Sequence, residues 1–156
     1  MKKVSAGENF GLQGSLIIKT FRNGRLTGQS RRLRNKVVSS DGYGRNLLLR
    51  WMAGEETYPI VIDSAALGDD DTAAADGDAA LGNPLVTGIE LTNLVVTNNV
   101  LAIDVFVADA NLPDDTYEEF GLFADGRLIS RLVIDPAYTK VSGEDTLFSY
   151  ELTMTG

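Results

Sequence analysis

The stretch "TYEEFGLFADGRLISRLVID", residues 116–135, decides the fold class. Asp125-Gly126 sits between two runs rich in β-branched, aromatic and aliphatic residues. An Asp-Gly pair suits the two central positions of a type I′ turn, where both residues take positive φ, and that turn has the twist that joins antiparallel strands. Residues 116–124 and 127–135 therefore read as a β-hairpin. The last stretch, "DTLFSYELTMT" (145–155), alternates with period two. Phe148, Tyr150, Leu152 and Met154 face one way, and Leu147, Ser149, Glu151 and Thr153 the other.

Further strands appear upstream. "TGIELTNLVVTNN" (87–99) and "VLAIDVFVADA" (100–110) read as a hairpin turning at Asn98-Asn99, with Leu101, Ile103, Val105 and Val107 on one side. Residues 15–21 and 25–34 flank Asn23-Gly24 and form another. The basic side chains of its second strand mark an edge, where charge discourages unwanted pairing. "YPIVIDSAAL" (58–67) places Ile60 and Ile62 on one face. Only within residues 37–56, between the caps Ser39–Asp41 and Gly54, does a helix read. Ser39, Ser40 and Asp41 offer N-caps, Gly54 a terminator, and Tyr43, Leu47, Leu48, Trp51 and Met52 recur at helical spacing. This predicts about three turns, weakened at the start by Gly42 and Gly44, with Trp51 as a core anchor. The whole is mainly β: an antiparallel β-sandwich of about eight strands with one flanking α-helix. It forms a single domain over residues 15–156, after a flexible N-terminal arm at residues 1–14.

The 156 residues suffice for one well-filled core, and 44% apolar with 23% charged residues is ordinary for a folded domain. No apolar run approaches the roughly 18 residues of a membrane span. The two lysines near the N-terminus lack the apolar stretch of a secretion signal, so synthesis in the cytoplasm is expected. The absence of Cys and His closes disulfides, zinc–thiolate sites, cysteine nucleophiles and histidine bases to this chain. Carboxylate, lysine and oxygen-only metal chemistry remain.

Charge is unevenly distributed. Residues 1–50 carry eleven Lys/Arg against two acids, and residues 51–156 carry three against twenty, so +9 stands beside −17 in a net −8. Internal pairing of basic strands with acidic ones is one reading, and head-to-tail assembly of copies is another. Nucleic-acid binding by "RRLRNK" (31–36) is disfavoured, because the rest of the molecule repels phosphate and the run holds no aromatic residue to stack on a base.

The densest acidic stretch is "GDDDTAAADGD" (68–78). Counted from Asp69 as a calcium loop, the sixth position is Ala74 and the twelfth Ala80, where glycine and glutamate are required. Asp69, Asp71, Asp76 and Asp78 could still form an irregular oxygen cage, while a solvated loop between strands is the simpler reading. Glu118-Glu119 and Asp114-Asp115 are sequence neighbours that point to opposite faces of a strand, so neither pair supplies the carboxylates about 5–10 Å apart that glycoside hydrolysis requires. "GYGRN" (42–46) lacks the Gly-Lys-Ser/Thr of a phosphate loop. No catalytic constellation and no cofactor motif emerges.

The ordered series Ala66-Leu67-Gly68, Ala80-Leu81, Glu119-Phe120-Gly121-Leu122-Phe123, Asp125-Gly126, Leu128-Ile129, Pro136, and Tyr138 with Lys140 resembles the N-terminal module of tailed-bacteriophage tail-collar fibre proteins. The resemblance covers roughly residues 35–155. It implies a non-enzymatic virion structural protein, present in several copies or as a homo-oligomer, contacting other virion proteins and neither nucleic acid nor membrane. In that module Phe120, Gly121, Leu122, Phe123, Asp125, Gly126, Tyr138 and Lys140 correspond to framework positions, and the acidic stretch falls where the family's loop varies. Fibre proteins continue into a shaft and receptor-binding tip, whereas this chain ends at Gly156. Joining or coating is therefore expected: a collar, baseplate or fibre-attachment part of the tail, or else a head-decoration protein. Docking is expected through Arg22, Arg25, Arg31, Arg32 and Arg34 onto an acidic partner surface. A carbohydrate-binding β-sandwich is the alternative from another class.

Overall fold

In the computed structural model, which describes residues 10–156, two turns carry consecutive positive φ angles: Asn23-Gly24 (51° and 76°) and Asp125-Gly126 (47° and 75°). Each closes the hairpin expected of it. The first joins β1 (Gly11–Arg22) to β2 (Arg25–Gln29), the second β9 (Thr116–Ala124) to β10 (Arg127–Thr139). The Asn98-Asn99 turn joins β7 (Asn93–Thr97) to β8 (Val100–Val107). The remaining elements are β3 (Leu33–Arg34), β4 (Lys36–Val37), α1 (Arg45–Met52), β5 (Ser64–Gly68), β6 (Pro84–Glu90), a 3-10 turn at Asp109–Asn111 and β11 (Asp145–Thr155).

Among the described residues, eleven strands replace the eight expected, in two antiparallel sheets. One runs β2-β1-β11-β8-β7 with β3 also on β1; the other runs β4-β10-β9-β5-β6. The higher count has three sources: residues 25–34 split into β2 and β3, both paired with β1, residues 87–99 split between the two sheets, and β4 at Lys36–Val37 is added. Residues 25–34 break at Ser30, whose hydroxyl accepts the Ile18 N–H at 2.9 Å, and the chain passes through β3 to β4 on the other sheet. Residues 87–99 likewise leave β6 and enter β7 of the opposite sheet. Of the arm expected at residues 1–14, residues 1–9 lie outside the described residues. Residues 11–14 belong to β1, paired with Leu152–Thr155 of β11, because the period-two pattern of the closing strand supplies them a ladder.

The core lies between the sheets. Leu16 and Ile18 of β1, Ile103 and Val105 of β8, and Phe148 and Tyr150 of β11 meet Leu67 of β5, Phe120 and Leu122 of β9, and Leu132 and Ile134 of β10. The Phe120 ring stacks on Phe148 at 5.4 Å between centroids. The outer face of the five-stranded sheet is also covered, by a second cluster of Val38, Ala66, Leu81 and Leu128 with Tyr43 and Phe123.

The helix is shorter than expected. It begins at Arg45 rather than near Asp41, because the preceding residues are bound to the sheet: the Gly44 N–H donates to Leu128 O (2.9 Å) and the Arg45 N–H to Val38 O (2.8 Å). Leu47 is its one buried residue, and Trp51 is 59% exposed. Trp51 is therefore not a core anchor, since the second turn extends past the packed layer. The run 58–67 forms a strand only from Ser64, although Ile62 is buried as expected.

Candidate functional site

Arg131 comes from an apolar strand, β10, and projects to the outer face of the five-stranded sheet, where it is 2% exposed. Beside it on β9 lies Glu119, fully buried, which accepts from Arg131 Nε at 2.8 Å. The acidic loop folds over this pair. Arg131 also donates to the carbonyls of Thr72 (2.9 Å) and Asp70 (3.4 Å) and to the Asp78 carboxylate (3.3 Å). The second Asp70 contact is ionic, at 3.7 Å. Glu119 closes the other end of the loop by accepting the N–H groups of Gly82 (2.9 Å) and Asn83 (2.8 Å). A buried charge is tolerable only when paired and hydrogen-bonded, and here both members are.

The aspartates thus fasten the loop. Asp76 pairs with Lys36 (3.2 Å) and Arg45 (3.3 Å), Asp69 bonds to the Asn83 side chain, and Asp78 accepts the Ala75 N–H at 2.9 Å. Asp71 is exposed. Hydrogen bonds from the Thr72 side chain and N–H hold the Asp70 carboxyl below its ordinary value. The calcium candidates are dispersed by these contacts, and among the described residues no three acidic groups converge as a metal cage would need. Neither the sequence's metal reading nor its solvated-loop reading anticipated a buried arginine beneath the loop. The available signal was a lone arginine within the apolar run "LISRLVI".

The framework positions converge. In the pairing of β5 with β9, Gly68 lies opposite Glu119, Leu67 opposite Phe120 and Ala66 opposite Gly121. A Cβ on Gly68 would fall 2.3 Å from both Glu119 Oε1 and Asn83 O, and one on Gly121 would fall 2.8 Å from Leu81 Cδ2. Gly68 is required by the approach of backbone, and at Gly121 a Cβ would make the Leu81 side chain shift. Phe120 and Leu122 enter the core, and Phe123 packs on the outer cluster. Tyr138 meets Phe148 edge-on at 6.2 Å and shares a 2.7 Å hydrogen bond with Thr146. Lys140, 2% exposed, donates to Asp109 (2.5 Å), Asp114 (2.8 Å) and Val141 O (3.0 Å). Burial lowers the Lys140 pKa, but its two carboxylate partners outweigh that and leave it raised. Asp109 is held below its ordinary value by Lys140 and by the Gly143 N–H. Of the adjacent acid pairs, Glu119 and Asp114 are each occupied by a buried cation.

The five candidate docking arginines are all exposed, and they divide into two groups. Arg22 reaches Glu144 (3.8 Å), Arg31 the Asp135 carbonyl (2.7 Å) and Arg32 the Glu151 carboxylate (3.1 Å). Arg25 and Arg34 have no ion pair among the described residues. Internal pairing thus absorbs part of the charge asymmetry. No helix among the described residues is long and apolar enough to cross a membrane. In comparison with known proteins, no family model, no curated protein and no solved structure matches the chain.

Proposed function

We propose that the chain is a non-enzymatic structural protein of a tailed-bacteriophage particle, a tail or fibre-attachment component acting through contacts with other virion proteins. One observation supports this most. Two motif pieces of the collar-module series, far apart in sequence, lie opposite each other in β5 and β9, where Gly68 is held against backbone and Gly121 against the Leu81 side chain. The resemblance implies framework roles for these positions, and their pairing across β5 and β9 supports that reading. The buried charges serve the same framework, since Arg131–Glu119 and Lys140–Asp109 are spent on fixing loops.

Docking onto an acidic neighbour falls chiefly to Arg25 and Arg34, because the other three arginines have acceptors within the chain. Antibody raised against the purified chain should label tailed particles from a lysate of its natural host at one fixed position. Label at the tail or fibre base supports the proposal, label over the capsid supports the head-decoration alternative, and absence from purified particles overturns both. Arg25→Glu with Arg34→Glu is expected to reduce incorporation into particles at low salt. Unchanged incorporation would refute the docking surface and leave the structural role standing.

The exposed Trp51 favours a second reading, a carbohydrate-binding surface, because a solvent-facing indole is the platform on which a sugar ring stacks. A glycan array separates the two: a hit lost in Trp51→Ala supports the carbohydrate reading, and a blank array removes it.

A further inference from the structure

The sheet edges are not alike. On one edge of the six-stranded sheet, β2 and β3 carry Arg25 and Arg34. In the other sheet β4 carries Lys36, and β6 opens on Pro84, bends at Gly88 (φ 67°) and ends on Glu90. Charge, proline and local bends are the usual devices that stop a free edge from pairing. The strand β7, "NLVVT", has none of them, and all five of its residues are exposed. It lies within "LTNLVVTNNVLAI", residues 91–103, a run without a charged residue in a chain that is 23% charged.

The hydrogen-bonding phase of this edge follows from its hairpin. Thr97 and Val100 flank the two-residue turn and form a hydrogen-bonded pair, and Val95–Ala102 follows two residues on. The backbone groups of Asn93, Val95 and Thr97 therefore point to β8, and those of Leu94 and Val96 point to the free edge. A two-fold axis through Val95 would set Leu94 of one copy opposite Val96 of the other. Each such pair exchanges both of its hydrogen bonds, and Val95 faces Val95 across the axis.

The side chains agree with this register. Leu152, Leu101 and Val96 form a row across β11, β8 and β7 on the core side of the sheet. With Leu12 and Met154 they line an apolar hollow of about 200 Å³ where Val96 is 71% and Met154 47% exposed. A second β7 continues that row with Leu94 and Val96. Charge also selects the place: copies of net charge −8 repel, and an uncharged edge minimises that cost.

We propose that β7 is a homodimerisation edge, pairing antiparallel with β7 of a second copy about a two-fold axis at Val95 and joining two six-stranded sheets into one. The proposal stands apart from the virion reading and involves none of the docking arginines. Its test is the solution mass by light scattering at low and high salt. The expected species is a dimer at twice 16.8 kDa that persists at high salt. Val95→Lys and Val95→Glu each place like charges face to face and should weaken association roughly 100-fold or more. Val95 is 45% exposed, so both variants should keep the wild-type far-ultraviolet spectrum as monomers. Mixed together, the two should recover a dimer, because only this register sets the introduced lysine of one chain against the introduced glutamate of the other. A wild-type monomer at all salt concentrations overturns the proposal, as does a dimer that Val95→Lys leaves intact or a mixture of the two variants that stays monomeric.

Discussion

Arg131 is the residue on which the acidic loop depends. Replacing it with Met removes the cation but leaves Glu119 buried, with only the Gly82 and Asn83 N–H groups to solvate its charge. Breaking a buried pair from one side costs about 3–5 kcal/mol. Urea denaturation of Arg131→Met should show a loss of that order, and limited proteolysis should cut within residues 69–80. Adding Glu119→Gln should return part of the loss, because the stranded charge is gone; no recovery would mean that the Glu119 charge is not what makes the single change costly. Lys140 and Asp109 make a related prediction in acid. The Asp109 carboxyl is held below the ordinary aspartate value of 3.8, so its contribution is present above that pH and disappears as pH falls through the lower, folded value. The melting temperature should therefore drop on acidification below about pH 4, and Asp109→Asn should flatten that drop. In alkali the sign reverses. Burial raises the hydroxyls of Tyr117, Tyr138 and Tyr150, so stability falls as pH rises past 10.0, where the unfolded phenols ionise and the folded ones do not. Phenolate absorbance should stay short of all five tyrosines until the protein unfolds.

The three turns were legible in the sequence because Asn-Gly, Asn-Asn and Asp-Gly satisfy a local requirement for positive φ, whatever the rest of the chain does. The closing strand and β8 were legible because each buries one face, which forces period two. What stayed hidden was non-local. Ser30 breaks a strand because it meets Ile18, and Gly44, at φ 51° with its N–H held by Leu128 O, delays the helix. Trp51 has helical spacing to Leu47, yet spacing cannot tell how far the layer beneath extends. The same limit applied to the site. The acidic stretch was visible, but its buried arginine comes from β10, which the sequence places far from the loop. Gly121 was legible as a close-approach position without its partner being known, and that partner is Leu81 of the loop's far end. Gly121→Ala should therefore cost about 1–3 kcal/mol by overpacking. Leu81→Ala in the same chain should recover some of it, since the intruding methyl then has room; additive losses in thermal melts would mean that Leu81 is not the obstacle.

At the scale of the molecule, the basic first third and the acidic remainder are brought together by one topological fact. The first strand pairs with the last, β1 with β11, from Gly11–Thr155 to Phe21–Asp145. Arg22 thereby meets Glu144 and Arg32 meets Glu151, while the crossing through β3 and β4 brings Arg31 to Asp135 and Lys36 to Asp76. These exposed pairs add little stability individually. The larger consequence is mechanical. Because β11 lies between β1 and β8, half of the six-stranded sheet has no continuous ladder until the end of the chain arrives, and Phe148 and Tyr150 fill the core at the same moment. Closing so long a loop before contacts reward it favours slow, all-or-none folding, in the range of about milliseconds to seconds. A chain ending at Glu144 should then lack a cooperative melt altogether, instead of losing a single strand's worth of stability. A synthetic peptide of residues 145–156 should restore the β signal when added, because it carries both the missing ladder and the missing aromatic rings. A truncated chain that still melted cooperatively would show that β9, β10 and β5 form a self-sufficient layer, and the sandwich would then be two folding units sharing one core.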